Sequence, residues 1–458
     1  MSNSQNTNTQ LMGTGSILSL YANLAVPAVV AQIINLLYNI VDRIYIGHIP
    51  EIGASALTGV GLFVPILTLI NSFAMLAGSG GAPLASIALG QKDTHRAEKI
   101  LSNCFSLLLI FAAILTVFLY LTAPALLRFF GASQITLPYA VDYARIYILG
   151  SVFVLIVLGM NPFITTQGFA KISMLTTVIG AVINLILDPI FIFIFDMGVR
   201  GAALSTVLSQ SVSALWILHF LTGRKTTLHL KRNLMKLETD IVKPCLGLGV
   251  SSFVMLSTES LLSISFTSSL AHYGGDLAVG AMTIINSVSQ LAKMPLNGFC
   301  QGGQPLISYN YGAGNADRVK KTFQLVFAIC LGYATFFCVL SLLFPQMLTG
   351  IFTNNITLSD FAAGALRIFM AGIFAFGCQI ACQQSFVALG QAKISLFLAI
   401  LRKIILLIPL IFLLPFFFED KVFAIFLAEP ISDILAATVT GTAFFTQFQK
   451  ILKKNRKI

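Results

Sequence analysis

Two stretches of this chain nearly repeat each other at a fixed distance. The first reads Gly80-Gly81-Ala82-Pro83-Leu84-Ala85-Ser86, followed by Gly90 and Arg96; the second reads Gly302-Gly303-Gln304-Pro305-Leu306-Ile307-Ser308, followed by Gly312 and Arg318. The same offset of 222 positions pairs Arg145-Ile146 with Arg367-Ile368, Gly150 with Gly372, and Ala170-Lys171-Ile172-Ser173 with Ala392-Lys393-Ile394-Ser395. A register held over so long a stretch means two homologous halves, each repeating the fold of the other.

The halves consist of sequence suited to lipid. Hydrophobic residues make up 57% of the chain and charged ones 10%, too few to clothe a water-soluble globule. Twelve apolar runs can be marked, at 17–46, 54–78, 98–123, 138–168, 172–195, 201–222, 244–271, 277–309, 319–344, 358–389, 394–417 and 422–446. Each is long enough to cross a hydrocarbon layer of ~30 Å as a helix. Period-two alternation is absent, which argues against a β-barrel. The expected fold is therefore an all-α polytopic membrane protein with an N-lobe at 17–222 and a C-lobe at 244–446. Paired lobes in a membrane point to a transporter with its substrate site between or within them.

A net charge of +11 might suggest nucleic acid, but the basic residues lie in alternate connections. One set holds Lys92, Arg96 and Lys99, then Lys171, then Arg224, Lys225, Lys231, Arg232, Lys236 and Lys243. It continues with Arg318, Lys320, Lys321 and Lys393, and ends with Lys450, Lys453, Lys454, Arg456 and Lys457. The opposite connections carry only Arg43, Arg128, Arg200 and Lys421. By the positive-inside rule the first set is cytoplasmic, which puts both termini inside and makes the number of spans even. The expected partners are lipid and a small molecule, with no nucleic acid, and the chain is expected to be a monomer. Residues 1–16 read as a polar tail without the basic start and cleavage site of a signal peptide. Residues 223–243 read as the inter-lobe linker and 447–458 as a basic tail. The glycine pairs near Gly80 and Gly302 read as helix bends beside cytoplasmic turns. The seven cysteines show no metal or redox spacing and are expected to be buried apolar side chains. His48 and His272 fall in the outer connections.

Polar groups inside the spans carry the functional signal, because an ionisable side chain in hydrocarbon is costly unless it faces a cavity or a partner. The first span places Gln32, Asn35, Tyr38, Asn39 and Asp42 on one helical face. The fifth carries Asn184 and Asp188 at i, i+4 directly before Pro189, and the sixth opens with Ser205, Thr206, Ser209 and Gln210. Packing alone accounts for the hydroxyls but not for the two carboxylates. The acids are not duplicated: the offset sets Ile264 opposite Asp42 and Leu410 opposite Asp188. The second half offers Glu259, Lys293, Gln379, Gln383, Arg402, Glu429 and Asp433 instead, a mixture of signs that suggests internal ion pairing or substrate contact.

These residues resemble the multidrug and toxic compound extrusion (MATE) transporters of the polysaccharide-exporter superfamily. Gln301-Gly302-Gly303-Gln304-Pro305 followed by Tyr309-Asn310-Tyr311-Gly312-Ala313-Gly314 is similar to the signature after that family's eighth helix. Asn39-Ile40-Val41-Asp42 with Ile46-Gly47, Pro27 in the same helix, Asn184 to Pro189, Gly201-Ala202-Ala203 with Thr206, and Asn161 resemble further motifs. The resemblance implies two six-helix lobes around a V-shaped cavity and antiport by alternating access. The exported compounds would be amphipathic, cationic ones foremost, exchanged for H+ or Na+ with no other cofactor. The N-lobe motif is most similar to the bacterial damage-inducible branch, which carries a coupling-ion site over to Asp42, Asn184 and Asp188, with Thr206 as a further oxygen. Asn35, Tyr38, Asn39, Asn161 and Gln210 would line the cavity. In the sodium-coupled branch a Glu in helix 7 and an Asp in helix 10 matter; Glu259 matches the first, whereas Gln379 and Gln383 stand near the place of the second. The same superfamily contains lipid-linked saccharide flippases, but only Lys293 and Arg402 are available here to meet a pyrophosphate. No nucleophile motif or phosphate-binding glycine loop points to an enzyme.

Overall fold

The computed structural model describes residues 7–353 and 355–455. Among them the regular structure is helical. The helices are α1 (Thr7–Thr14), α2 (Ile17–Gly47), α3 (Gly53–Gly90), α4 (Thr94–Phe129), α5 (Leu137–Thr166), α6 (Ala170–Pro189), α7 (Gly198–Thr222) and α8 (Thr239–Gly312). They continue with α9 (Ala316–Leu343), α10 (Pro345–Gly350), α11 (Ile356–Phe369), α12 (Ile373–Ala388), α13 (Ala392–Ile400), α14 (Ile408–Leu413) and α15 (Lys421–Asn455). A π-helical turn, Ile190–Ile194, extends α6, and a second, Leu401–Leu407, joins α13 to α14.

Eleven of the described helical stretches are long and apolar enough to cross a membrane, and the longest is two crossings in one. α8 turns sharply at Gly275, whose backbone (φ 61, ψ −160) suits a residue without a Cβ. The runs at 244–271 and 277–309 are its two arms, so twelve crossings result. The basic connections all emerge at one end of the bundle, called the basic end below.

The repeated glycines lie inside continuous helix. α3 runs unbroken through Gly80 and Gly81, and Gly302 and Gly303 lie in the second arm of α8, well past its turn. They are contact points. A Cβ on Gly80 would stand 2.0 Å from the Cys245 carbonyl oxygen, and one on Gly302 would stand 2.3 Å from Ala25 Cα. Nearer the basic end the two copies meet. A Cβ on Gly90 would lie 2.0 Å from the Tyr309 oxygen, one on Gly312 would lie 2.0 Å from the Ile87 oxygen, and Ser86 donates to the Pro305 carbonyl at 3.2 Å. Small residues let these backbones touch.

That contact predicts a measurable cost. An alanine at Gly90 or Gly312 gains helix propensity of up to about 1 kcal/mol, but backbone cannot yield as a side chain tip can, and overpacking costs about 1–3 kcal/mol. Gly90→Ala and Gly312→Ala should lower the melting temperature in detergent, whereas Gly61→Ala, with nothing within 4 Å of the added methyl, should not. Equal melting temperatures for Gly90→Ala and Gly61→Ala would discard this account.

Among the described residues the lobes meet in the half nearer the basic end. Gln32 meets Gln301 at 3.3 Å, and the rings of Phe73 and Phe253 lie 5.1 Å apart. Farther out, Asn39, Ile40, Ile44, Glu259, Leu261 and Ile264 are exposed on α2 and α8, so the lobes diverge into a V.

Two polar segments pack against the bundle. Within the supposed polar tail, α1 folds against the bundle: Met12 is buried, its carbonyl accepts from Asn310 Nδ2 (3.0 Å) and Arg318 (3.1 Å), and Gly15 O accepts from Arg318 (2.8 Å). Residues 1–6 and 456–458, the latter holding Arg456 and Lys457 of the basic tail, lie outside the described residues.

The linker is strapped to the N-lobe. Gln167 Oε1 accepts from the Thr226 hydroxyl and from the amides of Thr227 and Leu228 at 2.7–2.9 Å. Buried Glu98 holds Lys231 at 2.5 Å and the His229 amide at 3.2 Å. Asn103 bridges the Leu234 carbonyl and the Glu238 amide, and Lys99 pairs with Glu238 at 3.0 Å. A polar segment normally left to water is here satisfied by α4 and by Gln167 at the end of α5. The cysteines are free thiols, all buried except the half-buried Cys378.

Candidate functional site

Asn184 and Asp188 stand one turn apart on α6, and spacing i, i+4 turns both toward α7, where they are fully buried. α7 answers with hydroxyls. Asn184 Nδ2 lies 3.2 Å from Asp188 Oδ1, 3.4 Å from Ser205 Oγ and 3.5 Å from Thr206 Oγ1, and Ser205 donates to Asp188 Oδ1. Asp42, near the end of α2, brings its carboxyl within hydrogen-bonding reach of Asp188. Asp42 Oδ1 and Asp188 Oδ2 are buried and have no partner that donates a hydrogen bond to them. Two carboxyls so placed in low dielectric cannot both stay ionised without a proton or a cation between them.

An aromatic wall closes this cluster. Tyr38 of α2 faces both acids, and Tyr143 of α5 reaches the Thr206 hydroxyl. Tyr143 stacks on Tyr147 with centroids 6.0 Å apart, and Phe63 meets both edge-on at 5.5 and 5.2 Å.

The structure gathers Asp42, Asn184, Asp188, Thr206 and Tyr38, and spreads out the other lining candidates. Gln210 lies one turn from Thr206 toward the basic end, with its Oε1 buried and unpartnered. Asn35 is half-buried and its carbonyl accepts from Asn39 Nδ2 at 2.6 Å, while Asn39 faces the open cleft. Asn161 is remote, since its helix places it roughly 27 Å along α5 from Tyr143. Its Nδ2 ties α5 to the start of α6 through the Ser173 carbonyl at 3.2 Å.

The C-lobe charges form a network. Glu429 accepts from Lys293 and from Arg402, each at 3.0 Å, and Arg402 also pairs with Asp433 at 2.7 Å. The Arg402 guanidinium lies 4.6 Å from the Phe376 ring centre, and Lys293 lies 5.3 Å from the same ring. Glu259 pairs with Lys403, whose ammonium also donates to the Met255 carbonyl. That pair is lopsided: Lys403 is 5% exposed and Glu259 61%, so the lysine sits in the wall and the carboxylate in the cleft. Gln379 donates to Gln383 at 2.6 Å beside it. Every acid named in this lobe is in an ion pair, whereas among the described residues neither Asp42 nor Asp188 is.

Ser205, Tyr143, Tyr147 and Lys403 complete these clusters beyond the residues expected from sequence. Ser205 was visible only as one of several hydroxyls. Nothing in α5 alone points its tyrosines at α2.

Comparison with known proteins follows the same two-lobed plan. The MatE family profile matches twice, over residues 27–190 and 251–413, once in each lobe. The multidrug export protein MepA of Staphylococcus saprophyticus is 25% identical over 424 residues, covering 91% of each chain, and MepA of Staphylococcus aureus strain N315 is 25% identical over 421. Among solved structures, MATE in complex with MaD3S superposes with a TM-score of 0.91 at 22% identity, covering 98% of this chain and 99% of that one. The outward-facing conformation of a multidrug resistance MATE family transporter superposes at 0.90, with the same identity and coverage. A profile matched in both lobes, on a duplicated twelve-crossing fold that these structures share, assigns the chain to the MatE family of membrane transporters.

Proposed function

We propose that this protein is a proton-coupled antiporter that exports amphipathic organic cations, with the exchanged proton carried by Asp42 and Asp188. The observation that carries the reading is the pair of buried carboxyl oxygens, Asp42 Oδ1 and Asp188 Oδ2, left without donors beside each other. A proton entering through the open cleft lowers the negative charge of the pair by one, and its release restores that charge, which must then be balanced. Only a difference between the two protonation states in the relative stability of the two lobe arrangements can drive transport.

Sodium fits the cluster less well, because a hard cation needs several oxygens. Asn184 must direct its Nδ2 toward the acceptor-only Asp188 carboxylate, which turns its own carbonyl oxygen away. The names of the MepA relatives support multidrug export. A flippase reading finds less support, since Lys293 and Arg402 are both engaged by Glu429. In this reading the basic end is cytoplasmic, both termini lie inside the plasma membrane and the chain works as a monomer.

Proteoliposomes loaded with ethidium test the reading directly. A proton gradient alone should drive efflux and a sodium gradient alone should not. Efflux driven only by sodium would overturn the coupling ion, and failure of both gradients would overturn the antiporter.

A further inference from the structure

We propose that Ser205 is a positioning residue that conveys the charge state of Asp188 to α7. The inference rests on the proton-exchange reading above and names how the site is read out. The Ser205 hydroxyl has one proton and two acceptors within reach: Asp188 Oδ1 on the facing helix, and the Ala202 carbonyl of its own helix at 2.9 Å. Its side chain is fully buried, so water does not offer a third choice. Thr206 differs. Its hydroxyl donates to the Ala202 carbonyl at 2.9 Å and accepts from Asn184, and it has no hydrogen bond to a carboxylate.

The choice made by Ser205 follows the charge opposite. A hydrogen bond to an ionised carboxylate is roughly twice as strong as one to a neutral acceptor, so an ionised Asp188 holds the hydroxyl across the helix interface. A proton placed on Oδ2, the oxygen facing Asp42, leaves Oδ1 an ordinary neutral acceptor. The Ala202 carbonyl then competes on equal terms and the hydroxyl turns back to it. Back-bonding of this kind loosens and bends a helix. α7 would thus lose its bridge to α6 and direct a second hydroxyl onto the Ala202 carbonyl, which already accepts from Thr206, in one rotor movement.

The other groups facing Asp188 and its partner acid are Asp42, Arg43 and Tyr38 from α2 and Tyr143 and Tyr147 from α5. α6 itself adds only the amide of Asn184. On α7 the one cation near the cluster's end of the helix, Arg200, is engaged by Asp142 at 3.0 Å. None of these stands between Ser205 and Oδ1.

The test uses the full-length protein in proteoliposomes, with ethidium efflux measured across a pH series. Ser205→Ala removes a donor that favours the ionised carboxylate, so the midpoint of the pH profile should move upward by about one unit. Ser205→Thr restores a hydroxyl and should bring the midpoint back toward that of the parent protein. A second readout guards against a variant that inserts but does not transport: the chain's single tryptophan, Trp216, lies on α7, so its fluorescence titration reports the same helix. An upward shift in either readout supports the proposal. An unmoved midpoint with efflux intact, or lost efflux with an unmoved Trp216 titration, overturns it. Asp188→Asn separates the two levels of inference. If that variant still couples efflux to the proton gradient, the proton-exchange reading fails; if it does not couple and Ser205→Ala leaves both midpoints in place, only the role of Ser205 falls.

Discussion

Asp42→Asn and Asp188→Asn should each insert and fold, and each should lose gradient-driven efflux by at least about tenfold, the scale of losing a coupling free energy of about 1–3 kcal/mol. Asparagine keeps the shape of the side chain and can still hydrogen-bond, but it cannot take up a proton. Folding should not suffer, because the substitution removes one of two carboxyls whose oxygens Asp42 Oδ1 and Asp188 Oδ2 are buried without donors. Melting temperatures in detergent should therefore equal or exceed that of the parent protein. Coupled efflux at the parent rate in both variants would exclude the N-lobe pair as the carrier.

The C-lobe should show the reverse: large effects on stability from charges that already have partners. Arg402→Met leaves Asp433 without its cation and Glu429 with Lys293 alone, and Asp433→Leu leaves Arg402 short of one anion. Breaking one member of a buried pair costs about 3–5 kcal/mol, because the abandoned charge stays in a low dielectric. The double variant should lose less than the sum, with a coupling of about 0.5–3 kcal/mol in a thermal-unfolding cycle. For comparison, the exposed Arg200–Asp142 pair should contribute little, because water and salt screen it. Additive losses for Arg402 and Asp433 would reject a coupled network.

The contrast between these lobes was partly legible in the sequence. Apolar length and the 222-residue register suffice for twelve crossings in two halves, because membrane spans are coded by runs rather than by fine pattern. Asn184 and Asp188 could be paired from spacing alone, since i, i+4 fixes a shared face whatever lies opposite. Tyr143 and Tyr147 could not, because the register of one helix against another depends on side chains from both. Lys403 escaped for a different reason. Neighbours on an α-helix point about 100° apart, so an inward Arg402 implies a lysine directed elsewhere. The π turn at Leu401–Leu407 widens the helix by a residue and buries both, with Arg402 6% and Lys403 4% exposed. The partners of the linker were not legible from its composition: its polarity is matched by Glu98 and Asn103 on α4 and by Gln167 in the turn after α5.

That strapped linker leaves the joint between the lobes without slack. The last clamped residue, Glu238, is followed at once by Thr239, the first residue of α8. In the two-arrangement reading proposed above, the first arm of α8, with no loose chain to pay out, would turn as a beam about this point. A helix of about thirty residues is roughly 45 Å long, and a turn of about 15° at its base would sweep its far end, at the Gly275 turn, through roughly 12 Å. The mechanical gain would then fall at the mouth of the cleft, farthest from the hinge, while the glycine contacts beside the pivot would need to shift only slightly.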